Sequence, residues 1–260
     1  MSCKRLIFGK VNATALGAIV AACVLPVPAN AAGGKDIGSA PIVAYDQSQF
    51  GNTATDSDIE QCNEKDSWWL LPVASGDRIT IDFEGEGVKY ARVWPVGTTD
   101  FNIESTNYVD ERESGSNGKG ELVVKASQTG TMPLSFSNYD CDFGDSVDPG
   151  PYDFTAYIKH GVRVAIPHRD SRPRRGTLAV TARTPDGGQI DDRGLVVELR
   201  AKRAGGTWKR LGSASVSHSV ANIAYSFLKS TRGKKVDLRA VASGDAYTTA
   251  TSPTDHLTIR

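Results

Sequence analysis

Apolar residues in this chain recur at every second position, and that pattern excludes most folds. Trp69, Leu71 and Val73 alternate with Trp68, Leu70 and Pro72. After a Ser75-Gly76-Asp77 turn, Ile79, Ile81 and Phe83 alternate with Arg78, Thr80 and Asp82. Side chains two apart share one face of a strand, so a period of two describes a sheet with one buried face. KYARVWP, ELVVKA, the Met132-Leu134-Phe136 run and YDFTAYI continue the pattern. Gly, Pro, Asn and Asp clusters punctuate it, and no sustained helical period replaces it. The chain is therefore expected to be all-β.

Charge divides the chain in two. From Ala32 to Lys159 there are 9 Lys+Arg against 22 Asp+Glu, and from His160 to Arg260 there are 18 against 8. Opposite net charges of −13 and +10 predict two β-sandwich domains with different electrostatic tasks. The acidic sandwich is placed at 60–159 and the basic one at 160–260. The second half offers seven short strands: VRVAIP, GTLAVTA, GLVVELRA, TWKRLGSA, ANIAYSF, KVDLRAVAS and HLTIR. Seven strands in about 100 residues suit an immunoglobulin-like sandwich, here without its Cys–Trp–Cys signature.

Ahead of these domains, Lys4, Arg5 and Lys10 precede an apolar Val11–Leu25 run and PVPANAA. That order reads as a secretory signal, residues 1–31, cut before Ala32. Val20-Ala21-Ala22-Cys23 offers an alternative, a lipobox whose Cys23 would carry a lipid anchor. The apolar run is short and alanine-rich for a membrane span, which needs about 20 strongly apolar residues. Residues 32–59 are Gly-, Ser- and Asp-rich and read as a tail or linker.

The pentapeptide VASGD occurs twice, at Val73–Asp77 and Val241–Asp245. Its flanks do not align, so it reads as shared turn chemistry and not as an internal repeat.

DSWWLLPVASGDRITIDF, GTMPLSFS from Gly130 and GPYDFTAYI from Gly150 resemble the bacterial pre-peptidase C-terminal domain over roughly Glu60 to Lys159. The resemblance implies a secreted β-sandwich, with Trp69 at the family's usual aromatic position. In that family the module accompanies a catalytic domain, often a protease, and neither half here reads as one. TPDGGQIDDRGLVVEL, GTWKRLGSA and VDLRAVASGDAYTTATSPT resemble bacterial immunoglobulin-like surface modules over His160 to Arg260. Such modules act as spacers, adhesins or binding units, and no catalytic residues come with the resemblance.

Four candidate sites follow from residue chemistry. Cys62 and Cys141 are the two cysteines left after signal cleavage. In an exported protein they are expected to form a disulfide, closing a loop of about 80 residues. Asp140, Asp142, Asp145 and Asp148 form a dense acidic segment that could hold calcium through carboxylate oxygens, although it departs from the EF-hand pattern. Arg169, Arg172, Arg174 and Arg175, with Arg232, Lys234 and Lys235, are candidates for holding a polyanion. Outside a cell that points to an anionic cell-wall polymer or a surface protein, and not to nucleic acid. Trp68 lies on the strand face opposite Trp69 and is a candidate stacking residue, against a structural reading as packing under a loop. Trp94 and Trp208 carry the same pair of readings.

Catalytic motifs are absent: no H-E-x-x-H, G-x-S-x-G, phosphate-binding glycine loop or Cys-x-x-Cys occurs. His218 lies among Ser213, Ser215, Ser217 and Ser219, which reads as the polar face of an edge strand, while His168 and His256 are isolated. The expectation is an exported, non-catalytic binding or adhesion module. The alternatives are an accessory protein with mutually docked domains and a cryptic hydrolase.

Overall fold

The computed structural model describes residues 33–56, 60–61, 64–103, 107–138 and 147–260. The signal segment, Cys23, Cys62, Cys141, Asp140, Asp142 and Asp145 lie outside the described residues. The described chain is almost wholly β, as the alternation requires.

The described residues of the acidic half build nine strands. They are β1 (Ser48–Asn52), β2 (Glu60–Gln61), β3 (Glu64–Val73), β4 (Arg78–Glu84), β5 (Tyr90–Val93), β6 (Asp110–Glu113), β7 (Lys119–Lys125), β8 (Gly130–Ser137) and β9 (Pro151–Lys159). One sheet runs β1-β9-β4-β7 and the other β2-β3-β8-β5-β6. All the pairings in these two sheets are antiparallel.

The predicted inward faces of β3 and β4 meet in the core. Trp69, Leu71, Ile79 and Ile81 are fully buried with Leu134 and Phe136 from β8. Phe136 is the hub, with ring centroids 4.6 Å from Tyr152 and 4.8 Å from Phe154. Each such side chain contributes about 1.5–3 kcal/mol by burial. The two polar atoms of this aromatic core are satisfied in series. Trp69 Nε1 donates to Tyr152 Oη at 2.7 Å, and Tyr152 donates to Ser67 Oγ, which lies on β3 with Trp69. This tie joins the two sheets.

The tail assigned to 32–59 is corrected by the structure. Its described part belongs to the sandwich: β1 is an edge strand on β9, and Val43 lies in the core at 3% exposure. Residues 34–42 run along β3, where Gly34 and Trp68 exchange backbone hydrogen bonds of 2.8 and 2.9 Å. Asp100 holds this segment by accepting from the amides of Ile37 at 2.8 Å and Gly38 at 3.2 Å. The segment carries too few apolar residues to reveal a period, and its place is set by a carboxylate some sixty positions away in sequence.

The basic half has nine strands: β10 (Arg163–Ala165), β11 (Ser171–Arg172), β12 (Arg175–Arg183), β13 (Val196–Lys202), β14 (Lys209–Ser215), β15 (Val220–Ser226), β16 (Lys235–Gly244), β17 (Tyr247–Thr251) and β18 (Asp255–Ile259). All seven predicted strands are present, and β11 and β17 are additional. One sheet is β10-β12-β15; the other is β11-β18-β16-β13-β14, with β17 also on β16. Leaving out the two additions, the first, second and fifth strands face the third, fourth, sixth and seventh. The half is thus a two-sheet sandwich in which the fourth strand lies beside the third, whereas the seven-stranded immunoglobulin arrangement sets it with the first, second and fifth. Its core includes Val180, Leu195, Val197, Ile223 and Ile259, all fully buried.

The halves meet where β9 ends. His160 pairs with the turn after β16: its amide donates to Ala246 O at 2.9 Å, and Thr248 donates to its carbonyl at 3.0 Å. Both VASGD words lie at this junction, in different conformations. In the first, Gly76 takes a left-handed φ of 86° in a turn and packs against Gly161; in the second, Gly244 is still in β16. The word thus has two backbone states, which agrees with the unaligned flanks that it is not an internal repeat.

Candidate functional site

Two basic runs some sixty residues apart in sequence converge at one end of the second sandwich. The cause is β18, which lies between them. On one side β11 pairs with it in parallel, Arg172 opposite Ile259. The Arg260 amide donates to Arg172 O at 2.9 Å, and Arg174 donates back to Arg260 O at 3.2 Å. On the other side the Gly233 amide donates to Ile259 O at 2.7 Å, Ile259 donates to Lys234 O at 3.1 Å, and Lys235 lies opposite Thr258. Arg169, Arg175, Arg232, Lys234 and Lys235 are exposed here, and Arg260 adds a charge beside them. Sequence reasoning missed Arg260, because its relevance depends on the strand pairing alone.

Two members of the predicted set serve the fold. Arg172 is turned inward, 5% exposed, with its guanidinium on Pro167 O and 3.6 Å from Asp255. Asp255 is itself buried and also meets His168 Nδ1 at 2.6 Å. That hydrogen bond raises the His168 pKa above its ordinary value. This buried pair clamps β11 onto β18, so Arg172 is corrected from ligand-binding to structural. Arg174 is half-buried and donates to Phe227 O at 3.2 Å, which leaves its charge near the surface.

Beside this cluster runs a groove of about 670 Å³. Its cations, Lys202, Arg203, Lys209 and Arg210, went unnoticed in the sequence because RAGG reads as a turn and TWKRLGSA as a strand. The fold brings both ends of that hairpin to one rim. Leu211, Phe227, Leu228 and Val236 provide apolar lining, and Leu228 is 73% exposed. Arg210 lies 3.5 Å from Glu198 and Lys202 3.6 Å from Asp237, while Arg203 donates to Ser230. Trp208 is half-buried against the cations Arg239 and Lys202, 4.1 and 5.0 Å from its ring.

Trp68 is corrected as a stacking residue. It is fully buried, packed with Ile37, Ala40, Ile103 and Leu70, and its ring centroid lies 6.0 Å from that of Trp94. Alternation sends it away from Trp69 as expected, and the 34–42 segment then closes over it. Of the four aspartates considered for calcium, Asp148 alone is among the described residues, and it is exposed.

The His218 cluster is a turn and not an edge-strand face. His218 and Ser219 have positive φ values of 49° and 64° at the tip between β14 and β15. Ser217 Oγ lies 2.9 Å from His218 Nδ1, and His218 Nε2 lies 3.7 Å from Asp191. The last distance is too long for a hydrogen bond, and the His218 side chain is 84% exposed, so water competes for every proton it could move. Asp191 instead accepts from the His218 amide at 3.0 Å, and buried Ser219 accepts from Ile190 N at 2.9 Å. The polar residues here hold a tight turn.

Among the described residues, Asp77–His160 is the single ion pair joining the acidic and basic halves.

No protein-family model matches the chain, and no curated protein matches it. Among solved structures, the chain is similar to the adhesin domain of Epf from Streptococcus pyogenes. The identity is 11%, over 76% of this chain and 71% of that one, with a TM-score of 0.32. It is also similar to the glycoside hydrolase domain of Endo-D from Streptococcus pneumoniae R6, at 15% identity over 74% of this chain and a TM-score of 0.24. This chain spans 31% of that hydrolase structure. A DUF4785 family protein from Legionella pneumophila is similar at 9% identity, over 82% of this chain and 59% of that one, with a TM-score of 0.27.

Proposed function

We propose that this chain is an exported, non-catalytic binding module that holds anionic polymers of the bacterial surface through the basic end of its second sandwich. The observation that supports this reading is the convergence of two sequence-distant basic runs around Ile259 and Arg260. Arg175, Arg232, Lys234 and Lys235 stand there exposed, with no carboxylate assigned to them among the ion pairs of the described residues. A phosphate- or sulfate-bearing polymer offers repeated charges to such a surface, and binding releases its counterions.

The alternative of domains that dock to neutralise one another has less support. It calls for charge pairs across the junction, and the described residues offer Asp77–His160 alone.

The test is retention on isolated cell walls. The full chain is expected to bind at low salt and to be released near 0.5 M salt, where the screening length is about 4 Å. Replacing Arg175, Arg232, Lys234 and Lys235 together by Glu is expected to weaken retention by at least about tenfold, or about 1.4 kcal/mol. Retention that ignores both salt and the four substitutions would exclude this surface.

A further inference from the structure

Among the outer strands of the described residues, β6 in the acidic half and β14 in the basic half are of opposite charge. We infer that β6 of one copy pairs with the β14 edge of a second copy, seating its leading apolar residues in the basic groove.

β6 is the outer strand of its sheet and is mostly exposed, with the sequence DERE. Glu111 and Glu113 are partnered by Arg92 on β5 and by Lys89 just before it, yet the Glu113 side chain remains 55% exposed. Tyr108 and Val109 lead into β6, and each is 46% exposed. β14 is the outer strand of the six-stranded sheet and begins Lys209-Arg210-Leu211. From Gly212 onward β15 lies against it, because a Cβ at Gly212 would fall 2.2 Å from Ala224 O. The open part is therefore Lys209 to Leu211, and it borders the groove with its apolar lining.

An edge strand presents unpaired backbone groups and recruits another edge unless charge prevents it. Two copies of β6 would set carboxylates opposite carboxylates, and two copies of β14 would set Lys209 and Arg210 against each other. Like charges directly opposite are destabilising. Both homotypic pairings are thus opposed, while β6 on β14 brings Asp110 and Glu113 to Lys209 and Arg210. Tyr108 and Val109 then have Leu211, Phe227 and Leu228 to cover. Because the two surfaces differ, the contact is head-to-tail and builds rings or open chains of molecules. The inference does not require the polymer-binding reading, since it uses none of Arg175, Arg232, Lys234 and Lys235.

The experiment is sedimentation velocity of the full chain across a concentration series, at about 0.05 M and about 0.5 M salt. Concentration-dependent association is expected at low salt and loss of it at high salt. One variant carries Asp110→Lys with Glu113→Lys, and another Lys209→Glu with Arg210→Glu. Each alone is expected to weaken self-association by about tenfold or more. Mixing the two variants restores opposite charge at both contacts and is expected to restore association, which also shows that both are folded. A chain that stays monomeric at low salt overturns the inference. So does association that survives either pair of reversals, or a mixture that stays as dissociated as its components.

Discussion

Asp77→Ala is expected to destabilise the chain by about 3 kcal/mol and to loosen the tie between the two sandwiches. Asp77 is 2% exposed. Its carboxylate accepts from the amide of Ala74 at 2.8 Å and of Gly161 at 3.0 Å, and it meets His160 Nδ1 at 3.3 Å. The first bond closes the turn between β3 and β4; the other two reach the first residues of the second half. Removing the acceptor leaves two backbone donors unsatisfied, each costing about 1–3 kcal/mol. Gly76 and Gly161 pack backbone against backbone beside it. Thermal unfolding followed by far-ultraviolet circular dichroism is expected to separate into two transitions. A variant that melts as the wild type does would show that the carboxylate is not what joins the halves.

The same pair makes the tie depend on pH. Its hydrogen bond to Asp77 raises the His160 pKa, against a smaller opposing effect of burial. For Asp77, burial pushes the carboxyl up, but the bonds from His160, Ala74 and Gly161 outweigh it and leave the pKa lowered. A histidine whose pKa is raised by folding contributes fully below its unfolded value, about 6.5, and loses that contribution as pH rises through the folded value. A lowered aspartate contributes above about 3.9 and loses it as pH falls. The halves are therefore expected to be most tightly coupled between about pH 4 and 6.5 and to loosen in alkali. His160→Gln is expected to flatten the alkaline limb. Identical separation of the two melting transitions at mildly acid and alkaline pH would refute this account.

Trp69→Ala is expected to be the most damaging single change in the first sandwich, at about 3–5 kcal/mol. Trp69 is fully buried, its ring edge-on to Phe154 at 4.9 Å. Its loss opens a cavity between the sheets and leaves the buried Tyr152 hydroxyl without its donor. Total stabilities are about 5–15 kcal/mol, so this change consumes a large fraction of what the domain has. Tyr152→Phe separates the two contributions: it keeps the ring and removes the hydroxyl that joins Trp69 to Ser67. That variant is expected to lose about 1–3 kcal/mol through the orphaned indole N–H. Chemical denaturation measures both, and a Trp69→Ala loss under about 1 kcal/mol would mean the core closes around the vacancy.

Fold class and site differed in how far they could be read. Alternation in DSWWLLPVASGDRITIDF and in the seven later runs is a local property, because which face a strand residue occupies depends on parity alone. It placed Trp69 inside and all seven strands of the second half. Parity also sent Trp68 to the opposite face, but it carries no information about what lies over that face. The cover is residues 34–42, whose composition reads as a linker and whose anchor is Asp100.

The basic site divides in the same way. Residue type alone nominated HRDSRPRRG and RGKK, and the acidic and basic halves are plain in the sequence. Only the tertiary structure could bring those two runs together, because their neighbour relation is set by the pairing of β11 and β16 with β18. Only it could turn Arg172 inward onto Asp255 while leaving Arg175 outside, a choice made by burial and not by residue type. Composition and parity act over a few residues and survive in the linear chain. Strand partners, edges and burial are settled between segments tens of residues apart, and they exist only once the chain has closed around its cores.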